Sequence, residues 1–359
     1  MTAADLGRDQ RIDWVDYAKG ICIILVVMMH STLGVEKAMG QASHVGLFIE
    51  WARPFRMPDF FLLSGLFLGR RIAAPWRSYL DTKVVHFAYF YFLWMTIQFA
   101  LKGYGLYQTQ GAQGLLRDYA LGFIEPFGTL WFIYLLAVFF VVTKLLLRVP
   151  ALVVFAGAAV LEALPIETGW ILVDEFAARF VYFFAGHWLA AHVFQYASQV
   201  RRAPLPIVLP ALAAWALING MVVFGGGSHL PMVSLLLGLA GASAVIAIGV
   251  LLSRTSRSFV FRYLGANSIV VYLAFFLFMA ATRSVLIKVA PWLGVDVIAV
   301  LTTLAGIIGP VGLHLAVRNS RANFLFVRPR WAKVETWMKG WHSDPHDITA
   351  APKRPAETR

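Results

Sequence analysis

Cysteine and charged residues are the scarcest features of this sequence. Cys22 is the only cysteine among 359 residues, so the chain can form neither an intramolecular disulfide nor a cysteine-based metal cluster. Asp, Glu, Lys and Arg make up only 14% of the chain, whereas soluble domains carry about 25%. The acids are fewest, with 19 Asp and Glu against 31 Lys and Arg and a net charge of +12. Such a composition excludes an ordinary soluble domain.

Apolar residues take the place of the missing charge. They make up 59% of the chain, and the mean hydropathy is +0.69. About ten apolar stretches are long enough to cross a bilayer, with centres at 21–32, 59–68, 84–101, 130–147, 151–164, 176–194, 207–224, 232–252, 269–287 and 295–317. The sequence therefore predicts an all-α, polytopic membrane bundle. We expect the second stretch to be broken in its first turns by Pro54 and Pro58, and the fifth to be short.

The basic residues predict the orientation of the bundle. Lys and Arg collect in alternate connecting segments, which places both termini in the cytoplasm. Short basic clusters between apolar spans are typical of cytoplasmic loops, so we do not interpret the positive charge as a nucleic-acid site. The chain divides into a membrane domain, 1–318, and a basic tail, 319–359. The tail is predicted to begin as an amphipathic segment on anionic lipid and then to be disordered.

The first span carries three ionisable residues. Asp16, Lys19 and His30 lie within about 60° of one another around a helix, and Lys19 and His30 are separated by roughly 16 Å along its axis. If Lys19 lies at the inner membrane surface, His30 lies deep in the bilayer. Asp16 and Lys19 are readily explained as interfacial anchors. A buried imidazole needs a partner, which favours a functional role for His30.

Four further segments carry candidate site residues. The start of the second span contains Arg56, Asp59 and Ser64. Arg56 and Asp59, at positions i and i+3, could pair with each other, or Arg56 could contact a substrate at the outer end of the span. Glu125 and Trp131 flank the start of the fourth span, where Glu125 could deprotonate a hydroxyl. The others lie in the first inner loop and the ninth span: Arg70, Arg71, Arg77, Tyr272 and Arg283.

Several short motifs together resemble the acyltransferase-3 family of membrane O-acyltransferases. They are Asp16-Tyr-Ala-Lys-Gly-Ile with Lys19 and His30 eleven residues apart, Met57-Pro58…Phe60-Phe61…Ser64-Gly65, Leu130-Trp131-Phe132, and Leu264-Gly265…Ser268…Tyr272-Leu273. The resemblance extends to about residue 318. Two positions depart from it: many members have His where this chain has Arg56 and Phe275. If those histidines assist catalysis in other members, His30 and Glu125 would take over that role in this chain.

The resemblance implies transfer of an acyl group, most simply acetyl, from cytoplasmic acyl-CoA to a hydroxyl of an extracytoplasmic glycan or lipid-linked sugar in a bacterial inner membrane. No metal is implied. Combined with the spacing, it assigns His30 as general base or acyl carrier, assisted by Glu125 and Tyr272. Asp16 would neutralise Lys19 or an arginine. The remaining candidates are expected to bind CoA (Lys19, Arg70, Arg71 and Arg77) and the acceptor (Arg56, Asp59, Ser64, Trp131 and Arg283).

A transporter or flippase is the alternative function. In that case Asp16, Lys19, His30 and Arg283 would form a proton or substrate path. The sequence contains no evident internal repeat, although such repeats are common in transporters. Release of free CoA would distinguish the enzyme from the transporter.

Overall fold

A computed structural model describes residues 12–255 and 258–333. The described chain contains thirteen α-helices and no strand. The helices are α1 (Asp13–Met39), α2 (His44–Gly65), α3 (Trp76–Leu80), α4 (His86–Leu121), α5 (Trp131–Leu145), α6 (Ala151–Ala163), α7 (Ile171–Trp188), α8 (Ala190–Arg202), α9 (Leu205–Phe224), α10 (Val233–Leu252), α11 (Phe259–Ala266), α12 (Ser268–Val289) and α13 (Gly294–Val317). The all-α prediction is confirmed.

Seven helical stretches are long and apolar enough to cross a membrane: α1, α3 continued into α4, α5 with its flanking turns, α9, α10, α12 and α13. Three more, α2, α6 and α7, run through the same bundle. Helices α2 and α7 have the length but contain several charged residues, and α6 has only 13 residues, as predicted for the fifth stretch. Together they match the ten predicted spans.

Helix α2 is continuous, so the prediction that its first turns are broken is wrong. Pro54 and Pro58 lie inside the helix, where each proline removes a backbone donor and loosens the preceding turn. Two other carbonyls of the turn before Pro54 accept side-chain hydrogen bonds. Arg56 donates to Ile49 O at 3.3 Å, and the Asn219 amide of α9 donates to Trp51 O at 2.8 Å. These bonds hold the proline-containing part of α2 against its surroundings, and the Asn219 bond ties it to α9.

Glycine allows α2 and α7 to touch. A Cβ on Gly186 would lie 2.0 Å from Leu62 O, and one on Gly65 would lie 2.2 Å from Phe183 O. Only hydrogen fits at these two positions, which is the usual basis of close helix packing in membranes. Helices α1 and α11 also pack closely at a glycine, since a Cβ on Gly265 would overlap Asp16 O. These contacts fix α2 against α7 and α11 against α1.

The last described segment folds back onto α4. Arg328 donates to the Asp81 carboxylate at 2.9 Å, and both side chains are almost fully buried. The indole of Trp94 donates to Leu325 O at 2.9 Å, and its ring contacts Phe326. The beginning of the predicted basic tail is therefore packed against the membrane domain. The rest of that tail, 334–359, lies outside the described residues.

Candidate functional site

The inner end of α1 lies beside a basic loop. Lys19 Nζ lies 5.9 Å from the centre of the Phe67 ring, and the Arg70 guanidinium lies 5.1 Å from the same ring. Lys83, at the start of the long α3–α4 helix, is close enough to feel the charges of both Lys19 and Arg71. The structure therefore brings Lys19, Arg70 and Arg71 together as predicted, and adds Lys83. Arg77 is exposed on the neighbouring short helix.

A buried lysine fixes the conformation of this basic loop. Lys144, near the end of α5, donates to Ile72 O at 2.6 Å and to Ala74 O at 2.7 Å. Its ammonium group also lies 5.0 Å from the Trp76 ring and 4.5 Å from the Tyr79 ring. Sequence analysis places Lys144 only among the inward-facing positive charges. In the structure, Lys144 donates hydrogen bonds to two carbonyl oxygens, those of Ile72 and Ala74, in the segment that follows Arg70 and Arg71.

A cavity of about 140 Å³ opens above the basic loop. Its lining extends from Lys19 to Tyr272 and includes Ser64. The Ser64 hydroxyl donates to Phe60 O at 2.7 Å within its own helix, so it contributes a small side chain to the wall. We call this space the inner cavity.

A second and much smaller cavity, of about 10 Å³, borders His30. It is lined by Val26, His30, Met57, Phe60, Thr129, Trp131, Phe132 and Tyr272. Three aromatic side chains, Phe60, Phe132 and Tyr272, line both cavities. The two spaces therefore meet at this aromatic wall and together extend from Lys19 to His30. We call the second space the His30 cavity.

The two positions that depart from the family resemblance both lie near His30. The Phe275 ring, which is fully buried, lies 5.4 Å from the imidazole. The Arg56 guanidinium is close enough for its charge to act on His30, and its buried Nε has no hydrogen-bond partner in the part of the chain that the structure describes. An aromatic ring and a buried cation thus replace the two histidines that many members carry.

Tyr272 is fully engaged in hydrogen bonds. Its hydroxyl donates to Thr129 O and accepts from Phe132 N at 3.2 Å. These bonds hold the start of α5 against α12, at the wall between the two cavities. Donation to an oxyanion would first require the bond to Thr129 to break.

The remaining predicted residues have separate locations. Trp131 lines the His30 cavity, whereas Glu125 lies in the outer loop before α5 and lines neither cavity. Asp59 is 1% exposed and faces the Cys22 region of α1. The suggested pairing of Arg56 with Asp59 is wrong: Arg56 donates to Ile49 O, and neither Asp59 oxygen has a hydrogen bond among the described residues. The backbone of Asp16 packs against Gly265.

Two cations lie near the outer side of the His30 cavity, although neither of them lines it. Arg283 Nη1 would be 2.4 Å from a Cβ on Gly34, one helical turn beyond His30. Lys102 lies 4.4 Å from the Phe276 ring and 4.8 Å from the Phe127 ring, and it feels the charge of Arg283. Arg283 is one of the acceptor-binding residues that the sequence predicts. Lys102 is not, because it is distant from the other site residues in the chain.

A helical bundle in which seven described stretches are long and apolar enough to cross a membrane defines a polytopic membrane protein. Sequence comparison identifies which kind. The profile described as "Acyltransferase domain" matches residues 12–313, and the chain belongs to this family, the acyltransferase-3 family. The resemblance found in the motifs is thereby confirmed.

One curated relative is the inner membrane protein YcfT of Escherichia coli (strain K12). It is 26% identical over 288 residues, which cover 72% of this chain and 77% of the relative. No solved structure shows significant similarity to the chain.

Proposed function

We propose that this acyltransferase moves an acetyl group from cytoplasmic acetyl-CoA to a hydroxyl of an extracytoplasmic or lipid-linked glycan, in the bacterial inner membrane. The observation that carries the proposal is the shared aromatic wall, which joins the inner cavity at Lys19 to the His30 cavity. Along α1 these two residues are roughly 16 Å apart. The extended pantetheine arm of CoA suits a path of that length. The relative's inner-membrane location supports the proposed membrane.

The basic loop supplies the groups that CoA phosphates require. Arg70 and Arg71 are exposed, so their guanidinium forks are available to phosphate oxygens. Lys19 lines the inner cavity, and Lys83 is close enough to feel the charges of Lys19 and Arg71. In this arrangement the nucleotide of CoA stays at the inner face, where Arg77 adds a further positive charge from the neighbouring helix. The thioester at the other end of CoA reaches the aromatic wall.

His30 would perform the proton transfer. As general base, its imidazole takes the proton of the acceptor hydroxyl while the oxygen attacks the thioester carbonyl; the C–S bond breaks, and the thiolate of CoA recovers the proton. Alternatively, an imidazole nitrogen accepts the acetyl group first and then passes it to the hydroxyl. In both routes one thioester is exchanged for one ester. Arg56, a buried cation near His30, is positioned to stabilise the negative charge on the carbonyl oxygen.

The test is CoA release from radiolabelled acetyl-CoA by purified full-length protein in nanodiscs, with added glycan acceptors. We expect His30→Gln to abolish CoA release and label transfer. The matched control is His192→Gln, because His192 is exposed on α8 and should leave both unchanged. Equal turnover by wild type and His30→Gln would refute the role of His30. Uptake of a substrate without any CoA release would favour the transporter.

A further inference from the structure

No acidic side chain among the described residues neutralises the two cations above His30. Neither Lys102 nor Arg283 forms an ion pair within residues 12–255 and 258–333. Both side chains are half-buried. Two like charges in a confined, partly desolvated space repel each other, and basic residues are disfavoured on the outer side of a membrane protein. The arrangement is therefore unfavourable unless an anion occupies it.

Neither cation lines the His30 cavity, but each lies beside a segment that does. A Cβ on Gly128 would lie 3.7 Å from Lys102 Nζ, and the next residue, Thr129, lines the cavity. On the opposite side, Arg283 lies against Gly34 of α1, four residues beyond His30. Gln98 adds an unused acceptor here. It is fully buried, its amide nitrogen donates to the Thr129 hydroxyl at 3.4 Å, and its carbonyl oxygen has no partner in the described part of the chain.

We propose that Lys102 and Arg283 form an anion subsite that selects an acceptor carrying a carboxylate or phosphate group close to the acylated hydroxyl. The argument rests on the proposed function, since it identifies the class of acceptor that His30 serves. Gly34 and His30 are one helical turn apart, about 6 Å along the axis. That distance corresponds to one sugar ring. A uronic acid or a sugar phosphate would thus place its charge between the two cations and a ring hydroxyl at His30, while Gln98 binds a further polar group of the sugar.

The aromatic rings beside Lys102 strengthen such a subsite. Phe127 and Phe276 hold the ammonium group between them and restrict its conformations, so less entropy is lost when an anion binds. Arg283 supplies a planar fork that matches a carboxylate or phosphate. A neutral sugar would leave both cations unpaired and would bind less tightly.

Binding without any acyl donor tests the subsite separately from catalysis. Full-length protein in phosphatidylcholine nanodiscs would be dialysed to equilibrium against radiolabelled methyl glucuronide, glucose 1-phosphate or methyl glucoside. We expect at least one anion to bind about tenfold more tightly than the glucoside, equivalent to about 1.4 kcal/mol. The glucuronide and phosphate arms distinguish a carboxylate from a phosphate ligand.

Variants that each remove one positive charge show which residues cause the preference for anionic sugars. Lys102→Gln and Arg283→Gln should each reduce anion binding about tenfold without changing glucoside binding. Lys288→Gln is the matched control, because Lys288 lies on the same helix as Arg283 but is exposed. Equal binding of all three sugars, no binding of either anion, or the same loss in Lys288→Gln would overturn the proposal. Acyl transfer to a neutral sugar alone would also overturn it, while leaving the proposed reaction intact.

Discussion

Replacement of Lys144 by methionine tests whether one buried ammonium group shapes the basic loop. Lys144 donates to Ile72 O and Ala74 O and is 7% exposed. Hydrogen bonds from a charged donor contribute about 1.5–3 kcal/mol each, so the pair contributes at most about 3–6 kcal/mol. Methionine retains packing against Trp76 and Tyr79, and the released carbonyls can be hydrated when the loop opens. We therefore adopt the lower end, about 3 kcal/mol.

A destabilisation of about 3 kcal/mol corresponds to roughly a hundredfold more frequent loop opening. Three amides report it directly, because Arg71 N and Ile72 N donate to Leu68 O and Ala74 N donates to Arg71 O. Hydrogen exchange followed by mass spectrometry should show protection of these amides falling about a hundredfold in Lys144→Met. If the loop binds CoA, the KM for acetyl-CoA should rise more than kcat falls.

The control for this experiment is Arg148→Met, which removes a positive charge from the exposed turn that follows α5. Its exchange pattern should match that of wild type. Unchanged protection of the loop in Lys144→Met, or an equal change in Arg148→Met, would refute the reasoning that Lys144 holds the loop through its two carbonyl bonds.

Two further predictions concern packing and pH. Gly186→Ala would place a methyl group 2.0 Å from Leu62 O, so it should destabilise the protein by about 1–3 kcal/mol and lower its Tm. Gly157→Ala is the control, because Gly157 has open space around it and its replacement should leave Tm unchanged. Equal Tm values for the two variants would contradict the close packing of α2 and α7. The hydrogen bond to Asp296 raises the pKa of the exposed His44 imidazole above 6.5. The interaction of protonated His44 with Asp296 therefore stabilises the folded protein fully below pH 6.5, and this stabilisation is lost as the pH rises through the raised pKa of His44. His44→Gln should lower Tm only at the acidic end, and a difference that persists at alkaline pH would disprove this.

Sequence determined those properties that depend on local order along the chain. Apolar stretch length and the low charge content sufficed for the membrane bundle, because a bilayer requires long apolar helices. Helical periodicity placed Lys19 and His30 on one face of α1. The order of short motifs revealed the family, which the match over residues 12–313 confirms.

Tertiary structure decided the properties that depend on contacts between distant segments. Nothing in the sequence near Lys144 indicates that it holds the loop after Arg71, and the spacing of Arg56 and Asp59 suggested a pair that the packing of α2 separates. Lys102 and Arg283 are far apart in the chain and come near each other only because α4 and α12 pack together. Helical periodicity specifies the direction of a side chain on its own helix, whereas its neighbours depend on how the helices pack. The proposed anion subsite therefore emerges only from the assembled bundle.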